Sequence, residues 1–261
     1  MLINARKIKS GSGSGKAVVC SCPLSLLGGV DTSTGKIQDA ECESKGLSIS
    51  NRVLCFPFGK GSTVGSYALY QLKINNMAPS AIINESAEPI IATGAIISDI
   101  PMVDGVDISL LRTGDSIVVE ADDSCVNLPD VIEKHVVTNI VRRDRKILLL
   151  RRSPRVGSYR GLWAGVSGFI EPGESDDAAA RREMEEEIGT GKVKLVRKTG
   201  AVRFRDSDTV WCVHPYLFDM PAGKITIDWE HESFEWVSPK DVSRYPTVPG
   251  LQQVVYKLIG D

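Results

Sequence analysis

Histidine is scarce in this chain of 261 residues: there are three, and none precedes residue 135. A half-chain without imidazole must find any general base among other groups. Long apolar runs are missing too. No stretch approaches the roughly 18 apolar residues of a membrane span, and the N-terminal MLINARKIKSGSGSGKAVV lacks the apolar core of a signal peptide. Charge is nearly balanced, at −2 overall, which gives no broad electrostatic case for nucleic acid or an anionic membrane. A cytoplasmic protein with neither kind of partner is expected. The six cysteines lie at 20, 22, 42, 55, 125 and 212. Cys20-Ser21-Cys22 is one residue tighter than the usual Cys-x2-Cys metal knuckle, and no second pair follows. In a reducing compartment all six are expected as free thiols acting as small apolar side chains.

What is present differs between the halves. Residues 1–128 carry 10 Lys+Arg against 13 Asp+Glu and five of the cysteines. Residues 129–261 carry 21 against 20, with every histidine and all four tryptophans. The composition changes at DDSCVNLPD, residues 122–130, a polar stretch with a proline that suits a short linker. No internal repeat relates the halves. Two unlike domains are expected, at 1–128 and 129–261.

The first half reads as short strands with turns. KAVVCS (16–21) and RVLCFPF (52–58) are apolar and β-branched, bounded by Gly, Ser and Asn. SAIIN, PIIATGAIIS and SIVVE read as further strand-like runs. SYALYQLKINN (66–76) is long enough for a helix, with Tyr67, Leu69, Tyr70 and Leu72 over one broad face. Between strand and helix lies FGKGSTVGSY (58–67), where backbone N–H groups point outward and favour negative charge. The P-loop spacing does not fit it. Ser62 suits two readings: a helix N-cap in a tight turn, or a base whose alkoxide is stabilised by N–H dipoles curled around it by Gly59, Gly61 and Gly65. Lys60 adds a cation nearby.

Four ordered blocks carry a resemblance: GGVDTSTGKIQD, FPFGKGSTVGSYALYQLK, APSAIINESAEPIIATGAIISDIPMV and LRTGD. Together they resemble the small subunit of the aconitase X family, over nearly the whole first half. The resemblance implies a swivelling β/β/α domain of aconitase-like hydro-lyases. It implies Ser62 as proton acceptor, with Gly61, Thr63 and Lys60 contacting substrate. Archaeal members of that family form the small subunit of phosphomevalonate dehydratase, and bacterial relatives dehydrate cis-3-hydroxyproline. Both substrates remain open at this point. Expelling hydroxide calls for a Lewis acid. The cysteines here lack cluster spacing, and the family places its [4Fe–4S] cluster on a separate large subunit, the expected partner. Where many members have His-Pro, this chain has AECESKG (40–46).

GFIEPGESDDAAARREMEEEIGT, residues 168–190, satisfies G-x5-E-x7-R-E-U-x-E-E-x-G-U, with U an apolar residue, at Gly168, Glu174, Arg182, Glu183, Glu186, Glu187 and Gly189. The last U is Thr190 instead of an aliphatic residue. This is the Nudix box, and the resemblance implies an α/β/α sandwich. The spacing has its own logic. Ser175 can cap a helix whose first turn carries Asp176 and Asp177, and Gly189 can end it. At about 100° per residue, Glu183, Glu186 and Glu187 share an arc of about 100°, while Ala180, Met184 and Ile188 make the packing stripe. Three carboxylates on one face suit a hard divalent cation, Mg²⁺ or Mn²⁺, which with the Gly168 carbonyl would hold a diphosphate for attack by water. Arg182 is placed to pair with Glu174. Downstream, DWEHESFEWVS offers Glu230 or Glu232 as a further ligand or base. Arg151, Arg152, Arg155 and Arg160 are candidates for phosphate contact, and Trp163 and Trp211 for stacking on a base or for the core. Small phosphorylated substrates are expected. A docking module that carries a nucleoside-diphosphate hydrolase to a partner is the alternative from another class.

Overall fold

The apolar run 17–19 is fully buried in a strand whose neighbours build a mixed sheet around it. The computed structural model describes residues 1–260, in two units that divide between Ile132 and Glu133. The strands of the first unit are β1 (Leu2–Asn4), β2 (Arg6–Lys9), β3 (Ser12–Val19), β4 (Val53–Phe56), β5 (Ala81–Asn84), β6 (Met102–Asp104), β7 (Ser116–Glu120) and β8 (Cys125–Asn127). They form one sheet in the order β1-β8-β7-β3-β4-β5-β6-β2. The pairs from β3 through β6 are parallel, and the flanking pairs antiparallel. All four residues of β4 and of β5 are buried, as expected of parallel strands covered on both faces.

Helices α1 (Gly65–Ile74) and α2 (Pro89–Ile97) cover this sheet. The second corrects the strand-like reading of PIIATGAIIS. Glu88 supplies the decisive local chemistry: its carboxylate accepts the Ile90 and Ile91 N–H groups at 2.7 and 2.8 Å, and Pro89 starts the helix at N1. Four isoleucines hid a helix because apolar content alone does not distinguish a short buried helix from a strand. In α1 the broad aromatic face is also corrected. Leu69 and Leu72 enter the core, whereas Tyr67 and Tyr70 face solvent.

Cys20 and Cys42 form a disulfide, which overturns the expectation of six free thiols. Both are buried, at the end of β3 and in the 40–46 segment. Cys22, Cys55, Cys125 and Cys212 are free.

In the second unit, β9 (Ile132–Arg143), β10 (Lys146–Arg152), β11 (Trp163–Ala164), β12 (Val166–Phe169), β13 (Lys194–Lys198), β14 (Val202–Asp206), β15 (Thr209–Asp219) and β16 (His231–Val237) make a second sheet. Its main path runs β11-β10-β9-β15-β13, with β12 on β9, β14 on β15 and β16 on β10. Helices α3 (Asp176–Ile188) and α4 (Leu251–Ile259) pack against separate apolar clusters. Met184 and Ile188 meet Val141 and Leu148. Val254 and Leu258 meet Ile140 and Leu149. Alternating residues of β9 and β10 thus feed different clusters, as in a sheet sandwiched between helices. Among the described residues, no helix is long and apolar enough to cross a membrane.

Candidate functional sites

The first site is the loop from β4 to α1. Lys60, Gly61, Ser62, Thr63 and Val64 are exposed, whereas Gly65 and Ser66 are buried. The loop is pinned at its base, where the Leu24 N–H donates to the Phe58 carbonyl and the Lys60 N–H to the Leu24 carbonyl. Gly59 is required by close approach: a Cβ there would overlap the Glu88 carboxylate and Ile91. Gly61 has φ of +108°, a conformation that L side chains rarely adopt. These two glycines aim the chain so that Ser62 stands ahead of α1. Its Oγ accepts the Val64 N–H at 3.3 Å, and its carbonyl accepts the Gly65 N–H at 2.8 Å. Val64, not Ser62, is the N-cap residue.

Lys60 does not turn toward this serine. Its Nζ donates to Glu41 Oε2 at 2.7 Å and lies 3.5 Å from Asp39 Oδ2, and these partners hold its pKa above the ordinary lysine value. The Cys20–Cys42 disulfide ties down the segment that carries Glu41. Phe58, Val64, Tyr67 and Tyr70 are exposed along the same stretch of chain, an unusual density of apolar surface beside a polar loop. A larger cleft of about 680 Å³ in this unit, lined by Asn51, Lys73 and Asp99 among others, includes no residue of the loop.

The second site is built on α3. The Ser175 hydroxyl accepts the Ala178 N–H at 3.2 Å, and Gly189 closes the helix in the left-handed region at φ 70°. Ala180, Met184 and Ile188 are fully buried, which fixes the helix rotation. Glu183 and Glu187 are then buried as well, and Glu186 is exposed. Arg182 organises the entry loop: Nε and Nη2 hold Glu174 through both oxygens at 2.9 Å, and Nη2 also reaches the Phe169 carbonyl. Nη1 donates to Glu183 at 2.6 Å and to Glu186 at 3.1 Å.

Burial raises the pKa of Glu183, against the opposing pull of Arg182. Burial followed by the Glu183 charge raises that of Glu187 much further. Glu187 accepts one N–H, from Ser167 at 3.2 Å. His231 sits 3.9 Å away, its side chain wholly buried, its Nδ1 on Asp228 Oδ1 at 2.9 Å. Burial lowers its pKa, so the imidazole stays neutral. Gly168 lies against the Glu183 carboxylate, and any Cβ there would overlap it. Gly168, Glu183, Glu186 and Glu187 line a cavity of about 370 Å³ with Glu230, Arg152 and Trp211.

Two carboxylates are buried side by side with one cationic partner, the Arg182 bond to Glu183, while Glu187 has the Ser167 N–H and a neutral imidazole beside it. A hard divalent cation balances the remaining charge. Glu183, Glu186, Glu187 and the Gly168 carbonyl fit it by donor chemistry.

Residues 2–128 match the family model described as the aconitase X swivel domain, and residues 133–258 that of the NUDIX domain. The first part is 56% identical, over 128 residues, to the phosphomevalonate dehydratase small subunit of Thermococcus kodakarensis, covering 49% of this chain and 96% of that one. The chain belongs to the aconitase X swivel-domain family. The corresponding subunit of Methanothrix thermoacetophila is 48% identical over 132 residues, with 50% and 96% covered. Among solved structures, a crystal structure of Thermococcus kodakaraensis aconitase X in its holo form is 55% identical, covers 49% of this chain and 98% of that one, and has a TM-score of 0.48. The second part is a Nudix domain.

Within this swivel-and-Nudix chain, the arginines and tryptophans singled out in the sequence divide between the cavity and other surroundings. Arg160 is not among the cavity-lining residues, and its Nε donates to the Val156 carbonyl at 2.7 Å. Arg151 pairs with Glu232 at 3.1 Å. Of the four arginines considered, Arg152 lines the cavity. Trp163 belongs to the core, edge-on to Tyr245 at 5.4 Å. Trp211 faces the cavity, its ring 5.9 Å from Phe169 and 6.1 Å from Tyr159. Tyr159 and Phe169 carried no signal in the sequence, because their meeting depends on β15 passing β12 and the 153–162 loop.

Proposed function

We propose that the chain is the small subunit of a two-subunit hydro-lyase that dehydrates mevalonate 5-phosphate to trans-anhydromevalonate 5-phosphate, joined to a Mg²⁺-dependent Nudix diphosphate hydrolase. What carries the first half is identity near one residue in two over the full length of phosphomevalonate dehydratase small subunits, together with an exposed serine on a glycine loop at a helix start. Ser62 Oγ takes the proton from the carbon next to the substrate carboxylate. The Val64 N–H and the N-terminus of α1 stabilise the Ser62 alkoxide, which becomes a neutral hydroxyl as it takes that proton. Thr63 and the Gly61 backbone orient the substrate.

This chain's thiols do not fit an iron–sulfur cluster. Cys20 and Cys42 are bonded to each other, and Cys55 is buried with its thiol pKa raised by burial. Departure of hydroxide therefore belongs to a large-subunit partner, which docks over Phe58, Val64, Tyr67 and Tyr70.

In the Nudix half, Glu183, Glu186, Glu187 and the Gly168 carbonyl hold the cation. A divalent cation bound there supplies charge neutralisation and Lewis acidity at a diphosphate. Glu230 accepts the proton of the attacking water, Arg152 meets phosphate, and Tyr159, Phe169 and Trp211 receive the remainder of the substrate.

The test of the first half is the complex reconstituted with a large subunit and supplied with mevalonate 5-phosphate, with cis-3-hydroxyproline in parallel. Ser62→Ala should leave assembly intact and lower turnover by ~10²–10⁴-fold. Turnover within a few-fold of wild type would reduce the loop to a turn, and turnover of hydroxyproline alone would replace the substrate. For the second half, Glu187→Gln should raise the melting temperature of metal-free protein, because it removes a charge that burial disfavours. The same variant should lose Mg²⁺-dependent hydrolysis and the stabilisation that Mg²⁺ gives the wild type. Retention of either would exclude Glu187 as a ligand.

A further inference from the structure

His135, Cys212 and His214 converge on one spot in the Nudix unit. One ligand atom from each lies within 4.8 Å of the others. His135 Nδ1 is 3.2 Å from His214 Nε2, and Cys212 Sγ is 3.9 Å from the same nitrogen. A tetrahedral ion with metal–nitrogen bonds of about 2.05 Å and a metal–sulfur bond of about 2.3 Å needs nitrogens about 3.3 Å apart and nitrogen–sulfur separations of about 3.6 Å. The two spacings to His214 Nε2 differ from these by a few tenths of an ångström, and the third, between His135 and Cys212, is within 4.8 Å. The far side of His214 is also prepared: its Nδ1 lies 3.4 Å from Asp176 Oδ2, the carboxylate–imidazole pairing that fixes the tautomer of a metal-bound histidine.

We propose that His135, Cys212 and His214 bind a thiophilic ion of the zinc class, with Asp176 as the carboxylate that orients His214. Thiolate and imidazole select such an ion over Mg²⁺, just as the carboxylates of α3 select Mg²⁺ over it. The two sites are separate. Asp176 begins α3, and Glu183 and Glu187 follow seven and eleven residues on, about 10 and 16 Å along the axis at 1.5 Å per residue.

Alternation along β15 turns Cys212 and His214 to one face and Trp211 and Val213 to the other, where they line the cavity. An ion therefore clips β9 to β15 behind the cavity wall and links both to the first turn of α3. His135 is exposed and gives the ion its way in, while Cys212 is buried. Burial raises the Cys212 thiol above its ordinary pKa, and burial keeps His214 neutral. As the metal–sulfur bond forms, the thiol proton is released to solvent. Three protein ligands leave the fourth position to water.

The test uses the full chain, reduced and stripped of metal, with Mg²⁺ present in excess to fill the carboxylate site, and titrates Co²⁺. One equivalent should give tetrahedral d–d absorption and a thiolate-to-cobalt charge-transfer band, both displaced by Zn²⁺. Cys212→Ser should abolish the charge-transfer band. His135→Ala, at an exposed position, should weaken binding by at least about 10-fold, and Asp176→Asn by about 10–100-fold. Glu187→Gln should leave the band unchanged. A wild type without the band, a band that survives Cys212→Ser, undiminished affinity in His135→Ala, or a band lost with Glu187→Gln would each overturn the site.

Discussion

Replacing Gly168 by alanine isolates the geometry of the carboxylate site from its charge. The added methyl would overlap both oxygens and the carboxyl carbon of Glu183, so one side must yield. Gly168 is held in β12, paired with Val137 of β9. Glu183 presents the far end of a flexible side chain, so the carboxylate moves, by on the order of 1 Å to restore van der Waals distance. That motion costs the 2.6 Å bond from Arg182 Nη1, while Arg182 keeps both contacts to Glu174. The stability loss is then that of one partly exposed charged hydrogen bond, about 1 kcal/mol. The functional loss is larger. A displacement of about 1 Å at a reacting centre costs on the order of 10²-fold, or about 2.7 kcal/mol. Two measurements check this in one preparation: Mn²⁺ affinity by isothermal titration, which needs no substrate, and hydrolysis across a panel of nucleoside diphosphates and dinucleotides. Affinity should fall at least about 10-fold while the melting temperature stays within a few degrees. If Gly168→Ala binds Mn²⁺ and turns over within about 3-fold of wild type, the close approach of β12 to α3 is not part of the site.

Gly59→Ala should destabilise the swivel unit by about 2–4 kcal/mol, since its methyl displaces the Glu88 cap of α2 and collides with Ile91; chemical denaturation reads this, and a change below about 0.5 kcal/mol would refute it. Asp104 is buried in the same unit and accepts bonds from Arg6 and the Ala87 N–H. Burial pushes its carboxyl up, yet the bonds from Arg6 and Ala87 prevail and its pKa is lowered. A depressed carboxyl contributes stability that is full above the ordinary aspartate value, about 3.9, and is lost as pH falls below it. Asp104→Asn should therefore cost about 1.5–3 kcal/mol at pH 7 and less as the pH drops through that range, and a cost independent of pH would refute the ionic reading.

The Nudix helix was legible because its signals are local. A cap at Ser175, three glutamates at helical spacing, a small-residue stripe and Gly189 all lie within one element, and a helix turns such spacing into a face by geometry alone. The glycine loop was legible in the same way, between a buried strand and a helix start. The segment 89–97 was misread because its outcome rested on one side chain outside the apolar run, that of Glu88.

Other features have no local signal at all. The Cys20–Cys42 bond spans 22 residues and depends on where β3 ends against a later loop. Lys60 is drawn from Ser62 to Glu41 by that same loop. His135 meets His214 across 79 residues because β9 and β15 are neighbours in the sheet. Sequence alone determined the family, the helix faces and the chemical types of the groups. Tertiary structure decided which groups share a volume and which are stripped of water, because burial and long-range approach come from how strands are ordered in a sheet, and spacing along the chain does not encode that order.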